Sequence, residues 1–453
     1  MNQINFELLR KKLESPDSLI LDLSDKEKYF HDATNHNGTP LAIVMAKTES
    51  DITDTILFCK SNNINIVPRG AGTGLSGGCV PVENSILLST EQIDYINIDP
   101  IRSRAVCGPG VITKDLVDMA ANFNLTYPPD PASFDESTLG GNVAENAGGL
   151  RCKKYGVTRD YILGLKVIDK NGKIIKTGCY NNYKGFNLTD ILIGSEGTLV
   201  IIAEISVQLI DLPKIGDTIL ATFNNPKDCA NTVFDIVRSG LIPTVMEFLD
   251  SDAAACSNEY EKNEGIDQKA AGILLIETSF ENRETETSKI EKICNKNSCS
   301  YLEIEPDQNK ADNLWKIRRN LSKASKEIAS LRISEDIVVP VSKFPELVSF
   351  VSEMNQESEI RINSFGHAGD GNLHVNFLSN DTSHKNRIKI GNLIKSLMIK
   401  TLELGGSLSG EHGIGIEKKQ FLPMELNLQT LNFMIAFKNL FDPDNYINPN
   451  KIF

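Results

Sequence analysis

Gly70-Ala71-Gly72-Thr73-Gly74-Leu75-Ser76-Gly77-Gly78 is the stretch from which the fold is read, because five glycines in nine residues put backbone, not side chains, at the surface of a loop. Gly72, Gly74 and Gly77 meet the G-x-G-x-x-G spacing of a dinucleotide fingerprint. Such a loop must open a helix, yet Pro81 follows within four residues of Gly77 and Ser85–Leu88 resumes a strand pattern. The spacing instead suits an anion nest, a run of main-chain N–H groups curled around phosphate oxygens without a helix terminus. A pyrophosphate is its natural guest. A tight surface turn is the plainer alternative, although a turn needs only one or two glycines.

Two further stretches have the same character. Pro128-Pro129-Asp130-Pro131 gives a rigid entry to Gly140-Gly141-Asn142-Val143-Ala144-Glu145-Asn146-Ala147-Gly148-Gly149, where bare backbone and amide side chains can approach a flat ligand. Gly194-Ser195-Glu196-Gly197-Thr198 lies directly before the apolar run Leu199–Ile202 and adds N–H and hydroxyl donors. Three such loops in one domain imply a large, polar, phosphorylated ligand.

Around these loops the first two hundred residues alternate short β-branched runs (Leu41–Ala46, Asn65–Val67, Ser85–Leu88, Ala105–Val106, Leu163–Ile168, Leu199–Ile210) with helical patterns at Glu49–Ser61 and Thr113–Phe123. This α+β part reads as one domain, 1–212, ending near Leu212-Pro213. From Asp217 the order becomes strand (Thr218–Phe223), helix (Asp228–Arg238), strand (Thr244–Leu249), strand (Gly272–Ser279), helix (Arg283–Cys294), strand (Tyr301–Glu305), which predicts a ferredoxin-like layer. Further helices are expected at Asn309–Ile328, Lys343–Met354, Lys385–Leu404 and Leu426–Leu440, and strands at Ser334–Val339, Arg361–Phe365 and Leu373–Phe377. A second domain, 213–405, and a terminal segment, 406–453, that completes the active site and packs back on the first domain are the expected divisions. At 453 residues the chain exceeds one ordinary core.

Six histidines occur in the whole chain, and three of them fall in two short motifs. His367 and His374 bracket Gly366-His367-Ala368-Gly369-Asp370-Gly371-Asn372-Leu373-His374, and His412 follows Glu411 in Ser409-Gly410-Glu411-His412-Gly413-Ile414-Gly415. His374 lies on a strand pattern with Asn376 two residues on, so the two share a face, and His367 can return to it across the glycine turn. Two imidazoles and a carboxylate make a first shell for a divalent ion with positions left for substrate. Ordinary hydrogen-bonded turn histidines are the bland alternative, since the spacing matches no zinc signature. Asp370 is an alternative ligand, although a turn role between its flanking glycines is favoured. His412 is the preferred general base, because imidazole titrates near neutral pH. Arg318, one helical turn before Ser322, is the candidate clamp for a small organic acid, and one of Arg318 and Arg319 is read as a solvated helix charge.

A net charge of −13 without a run of Lys or Arg excludes a nucleic-acid partner. Nowhere do about eighteen apolar residues run together, and Met1–Leu13 lacks a signal-peptide core, so a cytoplasmic location is expected. The nine cysteines are scattered and never spaced C-x-x-C, which argues against a built-in iron–sulfur cluster. Electrons must leave by another route.

Taken together, Pro68–Gly78, Pro128–Gly156, Gly194–Ile202, Leu314–Arg318, Ser334–Pro340, Gly366–Asn376, Gly406–Gly415 and the ending Phe441-Asp442-Pro443 with Asn448-Pro449 resemble the FAD-linked 2-hydroxy-acid dehydrogenases. This is the group of the glycolate oxidase flavin subunit, D-lactate dehydrogenase and D-2-hydroxyglutarate dehydrogenase. The resemblance spans nearly the whole chain. It implies the FAD-binding fold of vanillyl-alcohol oxidase (PCMH-type) with a cap domain. The implied FAD site comprises Pro68, Arg69, Gly70, Ala71, Gly72, Thr73, Gly74, Ser76 and Gly77 around the pyrophosphate. Pro131, Thr138, Gly141, Asn142, Asn146, Gly148 and Gly149 belong to the second segment, and Glu196 and Gly197 to the third. It further implies His367, His374 and Glu411 as ligands of zinc, manganese or iron, His412 as base, and Arg318 and Asn376 as substrate-binding groups.

Two departures narrow the expectation. Members that attach FAD covalently offer His or Cys to the ring, but Pro68–Gly78 holds no His and Cys79 lies only just beyond it, so non-covalent FAD is expected. Ser334 stands where D-2-hydroxyglutarate dehydrogenases place a Lys near the distal carboxylate, which favours a short acid, D-lactate or glycolate, over D-2-hydroxyglutarate. The expected partners are the substrate and an external acceptor: electron-transfer flavoprotein, an iron–sulfur subunit, or quinone at a membrane reached peripherally through a partner. Dioxygen and a homodimer are left open. The rival readings are a relative of alkyl-dihydroxyacetone-phosphate synthase, a subunit that only relays electrons, and a metal-dependent hydrolase with a nucleotide substrate.

Overall fold

The β-branched runs of the N-terminal half form strands in which nearly every side chain is covered. The structure, a computed structural model, describes residues 4–180, 185–261 and 270–453. The chain divides into two units, the first made of Met1–Gly148, Gly156–Leu212 and Glu411–Phe453, the second of Gly149–Tyr155 and Pro213–Gly410.

The first unit contains β1 (Leu19–Ile20), β2 (Ala42–Met45), β3 (Asn65–Arg69), β4 (Ser85–Ser89), β5 (Ile96–Asp99), β6 (Arg104–Cys107), β7 (Leu125–Thr126), β8 (Ile162–Ile168), β9 (Ile174–Lys176), β10 (Ile201–Gln208) and β11 (Ile210–Asp211). One sheet has the order β1-β2-β4-β3, with β4 parallel to both β2 and β3. All residues of β2 and β4 are buried, the signature of parallel strands covered on both faces. The second sheet, β5-β6-β10-β8-β9, is antiparallel. The crossover from β2 to β3 is the helix Glu49–Asn62, started by a capping box between Thr48 and Asp51 and ended by Asn63 at φ 54°. Its Ile52, Ile56 and Cys59 pack with Val44, Ile66, Ile86, Ile168 and Ile201 in one core. Each such buried aliphatic side chain contributes about 1.5–3 kcal/mol.

The C-terminal residues finish this core. Ile447 bridges Ile66 in parallel register. Buried Lys438 donates from Nζ to the carbonyls of Thr198 and Ile447, both at 2.8 Å, and to Asp442 Oδ2 at 2.6 Å. That knot is what the Phe441-Asp442-Pro443 ending encodes.

The second unit carries β12 (Ile215–Phe223), β13 (Val245–Asp250), β14 (Gly272–Ser279), β15 (Cys299–Glu305), β16 (Leu331–Val338), β17 (Arg361–Gly366) and β18 (Asn372–Ser379) in one antiparallel sheet, order β15-β12-β14-β13-β17-β18-β16. Its first four strands, with helices Pro226–Arg238 and Arg283–Lys296, are the expected ferredoxin-like arrangement. The remaining strands and helices (Phe344–Glu357, His384–Glu403) repeat that order, and the halves join where β13 meets β17. A fourth strand of the second half would lie beside β16; there, a single bridge joins Val338 to Ser407.

Several local expectations are corrected. Residues 149–155 belong to the second unit because Leu150 packs on its core with Leu249, Leu275, Trp315 and Phe365. The second unit runs on to Gly410. The glycine-rich second segment contains a helix, Leu139–Glu145, capped by Thr138 Oγ1 accepting from Gly141 N at 3.3 Å. Glycine is needed at 140 because a Cβ would meet Pro109 O at 2.8 Å, and that close approach outweighs its poor helix propensity. A helix also occupies Ser251–Glu261, where the sequence reading runs from strand to strand. Among the described residues no helix is long and apolar enough to cross a membrane.

Candidate active site

In the first unit the three glycine segments meet. Gly70 leaves the C-terminal end of β3, the end of a parallel strand at which open α/β sheets bind ligands. A Cβ on Gly70 would lie 2.1 Å from Thr138 Oγ1, and one on Gly197 2.7 Å from Pro68 Cγ. Gly194 N and Glu196 N donate to the carbonyls of Val143 and Ala144 at 2.9 and 2.8 Å. Asn448 Nδ2 donates to the carbonyls of Gly78 and Glu196, each at 2.9 Å. The result is a backbone cradle with Gly72, Gly77 and Gly197 in the left-handed region, and its donor chemistry fits a dinucleotide.

Most of the polar side chains expected at the cofactor build this cradle. Arg69 is buried and donates to the carbonyls of His31, Lys28 and Ala71 and to Cys79 Sγ. Asn142 Nδ2 donates to Thr113 Oγ1 at 2.7 Å, and Asn146 Oδ1 accepts from Arg159 N at 2.9 Å. The carbonyls of Gly74, Ser76 and Pro131 accept from Ala33, Ile416 and Phe134. Gly77 turns its N–H to the buried carboxylate of Asp32, whose pKa burial pushes up against the hydrogen bonds of Thr34 and Gly77. Gly148 ends the second segment in this unit, and Gly149 begins the other. Burial pushes the Cys79 thiol up to about 12, so it stays protonated.

Glu196, expected at the cofactor, has partners in the C-terminal segment. Its side chain accepts from Ile414 N at 2.8 Å and Gly415 N at 2.6 Å, in the turn that begins with Glu411 and His412. Burial pushes its pKa up to about 7, opposed by those two N–H groups. His412 Nε2 lies 3.9 Å from Glu411 Oε1.

The second unit assembles the other candidates around one residue absent from the sequence reading, Glu247 on β13. Its carboxylate, with no exposed surface, receives Arg318 Nε on Oε2 and His367 Nδ1 on Oε1, each at 2.6 Å. Burial would raise its pKa, but Arg318 and then His367 prevail and hold it below the ordinary range. The Arg318 guanidinium lies over the Phe365 ring at 4.9 Å, and Arg319 is exposed. His367 and His374 stand edge to face with centroids 5.4 Å apart, and each offers a ring nitrogen within 4.8 Å of the other's. His374 Nδ1 is 3.4 Å from Asp336 Oδ1, and Asp336 also accepts from Asn372 Nδ2 and from Gly410 N. Two imidazoles, one oriented through Nδ1 by a carboxylate, fit the second-shell pattern of a metal site. Asp370 sits in the turn as expected, 4.0 Å from Lys153.

Asn376 is fully buried, and its amide is engaged at both ends, accepting from Arg332 Nε and donating to Asn363 Oδ1, each at 2.8 Å. The register explains this, since Asn376 faces Ser334 on one side and Asn363 on the other. Arg332, which the sequence reading passed over, also reaches Ser334 Oγ at 3.3 Å. Burial pushes its pKa down to about 10. Signals for the missed residues existed: Glu247 is an acid within an apolar strand, and Arg332 is the second residue of another, two residues from Ser334.

Residues 40–178 match the family model described as FAD binding domain, and residues 212–452 match that of the C-terminal domain of FAD linked oxidases. Glycolate oxidase subunit GlcD of Bacillus subtilis is 37% identical over 94% of this chain and 92% of its own length. D-lactate dehydrogenase of Anaerostipes hadrus is 31% identical over 100% and 98%, and D-2-hydroxyglutarate dehydrogenase of Stutzerimonas stutzeri 29% over 98% and 97%. Among solved structures, p-cresol methylhydroxylase superposes with a TM-score of 0.80 at 15% identity, covering 99% of this chain and 96% of the other. At that identity the likeness speaks for the fold alone, the PCMH-type fold that the family resemblance implies. With both family models matched and relatives aligned from end to end, the chain belongs to the FAD-linked oxidases and is an FAD-binding oxidoreductase of the group that includes glycolate oxidase GlcD, D-lactate dehydrogenase and D-2-hydroxyglutarate dehydrogenase.

Proposed function

We propose that this oxidoreductase converts a short D-2-hydroxy acid, D-lactate or glycolate, to the 2-oxo acid. The observation that carries the reading is the Glu247 carboxylate gripping Arg318 and His367 together, since it fixes a cation beside an imidazole whose other nitrogen can ligate. The Nε bond orients the guanidinium and leaves its terminal nitrogens out of the Glu247 contact, a geometry suited to a substrate carboxylate. His367, His374 and Glu411 are the residues that would hold a divalent ion (zinc, manganese or iron), and non-covalent FAD would occupy the glycine cradle. When bound, the ion supplies positive charge that acidifies a hydroxyl, and the flavin supplies the two-electron acceptor. His412 takes the hydroxyl proton while the C2 hydrogen leaves with its electron pair, so the alcohol becomes a carbonyl (a ketone from D-lactate, an aldehyde from glycolate) with one proton and one hydride removed. Re-oxidation falls to an external partner, in line with the word subunit in the name of the GlcD relative.

Arg332 favours a second reading. A cation on the strand of Ser334, two residues before it and on the same face, gives a longer diacid such as D-2-hydroxyglutarate a distal anchor. Anaerobic titration of the holoenzyme with a panel of D- and L-2-hydroxy acids separates the two. Bleaching of the flavin band by D-lactate or glycolate supports the first, bleaching by D-2-hydroxyglutarate alone the second, and no bleaching by any member sinks both.

A further inference from the structure

We infer that Glu196 is a positioning residue, which ties the turn bearing His412 to the glycine cradle and thereby aims the base. This rests on the role proposed above for His412.

The geometry is local to the first unit. The Glu196 carboxylate receives Ile414 N on Oε1 and Gly415 N on Oε2, so both oxygens are spent on consecutive main-chain N–H groups of the His412 turn. Glu196 itself sits at φ 51°, and its own N–H is bonded to Ala144 in the second glycine segment. Gly413 has φ 87°, and a Cβ there would meet Glu145 Oε2 at 2.5 Å and Glu196 Oε1 at 3.0 Å. Two carboxylates thus close over the residue next to His412, and only glycine fits beneath them. On the far side Ser76 O, from the first glycine loop, accepts from Ile416 N at 2.8 Å. A side chain at a cofactor loop, spent wholly on the backbone of the base's turn, does not bind the cofactor through its carboxylate. It fixes where the base stands.

The same contacts account for the use of glutamate. A carboxylate accepts two charge-assisted bonds through two oxygens, whereas glutamine offers one oxygen and turns a donor toward the other N–H. Glu196→Gln therefore keeps shape and loses aim.

The test uses FAD-loaded parent enzyme, Glu196→Gln, Glu196→Asp, His412→Ala and the double variant Glu196→Gln/His412→Ala. Stopped-flow flavin reduction by D-lactate is read together with hydrogen exchange of the peptide spanning 411–417. In Glu196→Gln, FAD content is retained, exchange at 414–415 rises, and the limiting reduction rate falls roughly 10- to 100-fold, the usual effect of losing an orienting partner. The apparent Kd for D-lactate moves less than about threefold, and Glu196→Gln adds little in the His412→Ala background, as residues acting through one another do. Losses that multiply in the double variant, or unchanged exchange at 414–415 in both Gln and Asp variants, overturn the inference. If His412→Ala reduces flavin normally, or the parent is not reduced, the proposed function fails while the exchange data still decide whether Glu196 holds the turn.

Discussion

His367 Nδ1 lies 2.6 Å from Glu247 Oε1, and that carboxylate has no exposed surface. An imidazole held this way carries its proton on Nδ1 and presents Nε2, which sets both its tautomer and its direction.

Glu247→Gln should therefore weaken divalent-metal retention and kcat by roughly 10- to 100-fold. It should also destabilise the second unit by about 3–5 kcal/mol, because it leaves the Arg318 charge buried without its partner. Metal analysis after dialysis and urea unfolding check the two effects. Chelation of the parent should abolish turnover reversibly while the flavin spectrum persists; full activity in metal-free holoenzyme would remove the ion from the scheme.

Arg332 is bonded to Asn376 and Ser334 on the face they share. For a diacid such as D-2-hydroxyglutarate, Arg332→Ala is expected to raise KM roughly 10- to 150-fold with a smaller change in kcat, as for a lost charge-assisted contact of about 1.5–3 kcal/mol, and to leave KM for D-lactate or glycolate little changed. Steady-state kinetics with acids of different length decide it, and an unaltered KM for all of them would confine Arg332 to packing.

Gly197 stands at φ 65° with Pro68 Cγ 2.7 Å from its absent Cβ. Gly197→Ala forces two glycine segments apart at a left-handed position that costs an L-residue about 1–2 kcal/mol, so the purified protein should lose FAD. The ratio of flavin to protein absorbance measures this. In the parent, acid precipitation should release all the flavin into the supernatant, since Cys79 is held as a thiol.

Asp250 accepts from Ser364 N, Ser364 Oγ and Ala253 N, yet burial pushes its pKa from 3.8 up to about 7. A pKa raised in the folded state means that its stabilisation is present below about 3.8 and is lost as pH rises to about 7. Asp250→Asn should flatten that part of the Tm profile, by about 2–4 °C for each kcal/mol involved in a unit of this size. An identical slope in parent and variant would count against it.

Much of this was readable in the chain. Glycine density fixed the nature of the first unit, because φ and close approach constrain backbone locally: Gly70 against Thr138 and Gly197 against Pro68 are the contacts those glycines imply. The split βαβ order from Thr218 to Glu305 was likewise local, in alternating periods. What escaped was set by register. The sequence shows the face of Asn376 but not its partners, Arg332 and Asn363, which β16 and β17 place at the two ends of its amide. Glu247 becomes visible as a hub only when β13 meets β17, over a hundred residues later in the chain. The helix Leu139–Glu145 was hidden by its own glycines, whose propensity argues against it.

Among the described residues, the bridge between Val338 and Ser407 is the sole pairing on one side of β16 and leaves most of that side without a neighbouring strand. Had residues 408–412 continued to zip along that margin, Glu411 and His412 would be ordinary members of a ladder, committed to alternate faces by the pleat. The chain instead peels off after one rung, with Gly410 N caught by Asp336. An unfinished edge is thus the cost of ending the ladder before Glu411 and His412, and under the roles proposed for those two residues any substitution that completes the pairing should stabilise the scaffold while silencing the enzyme.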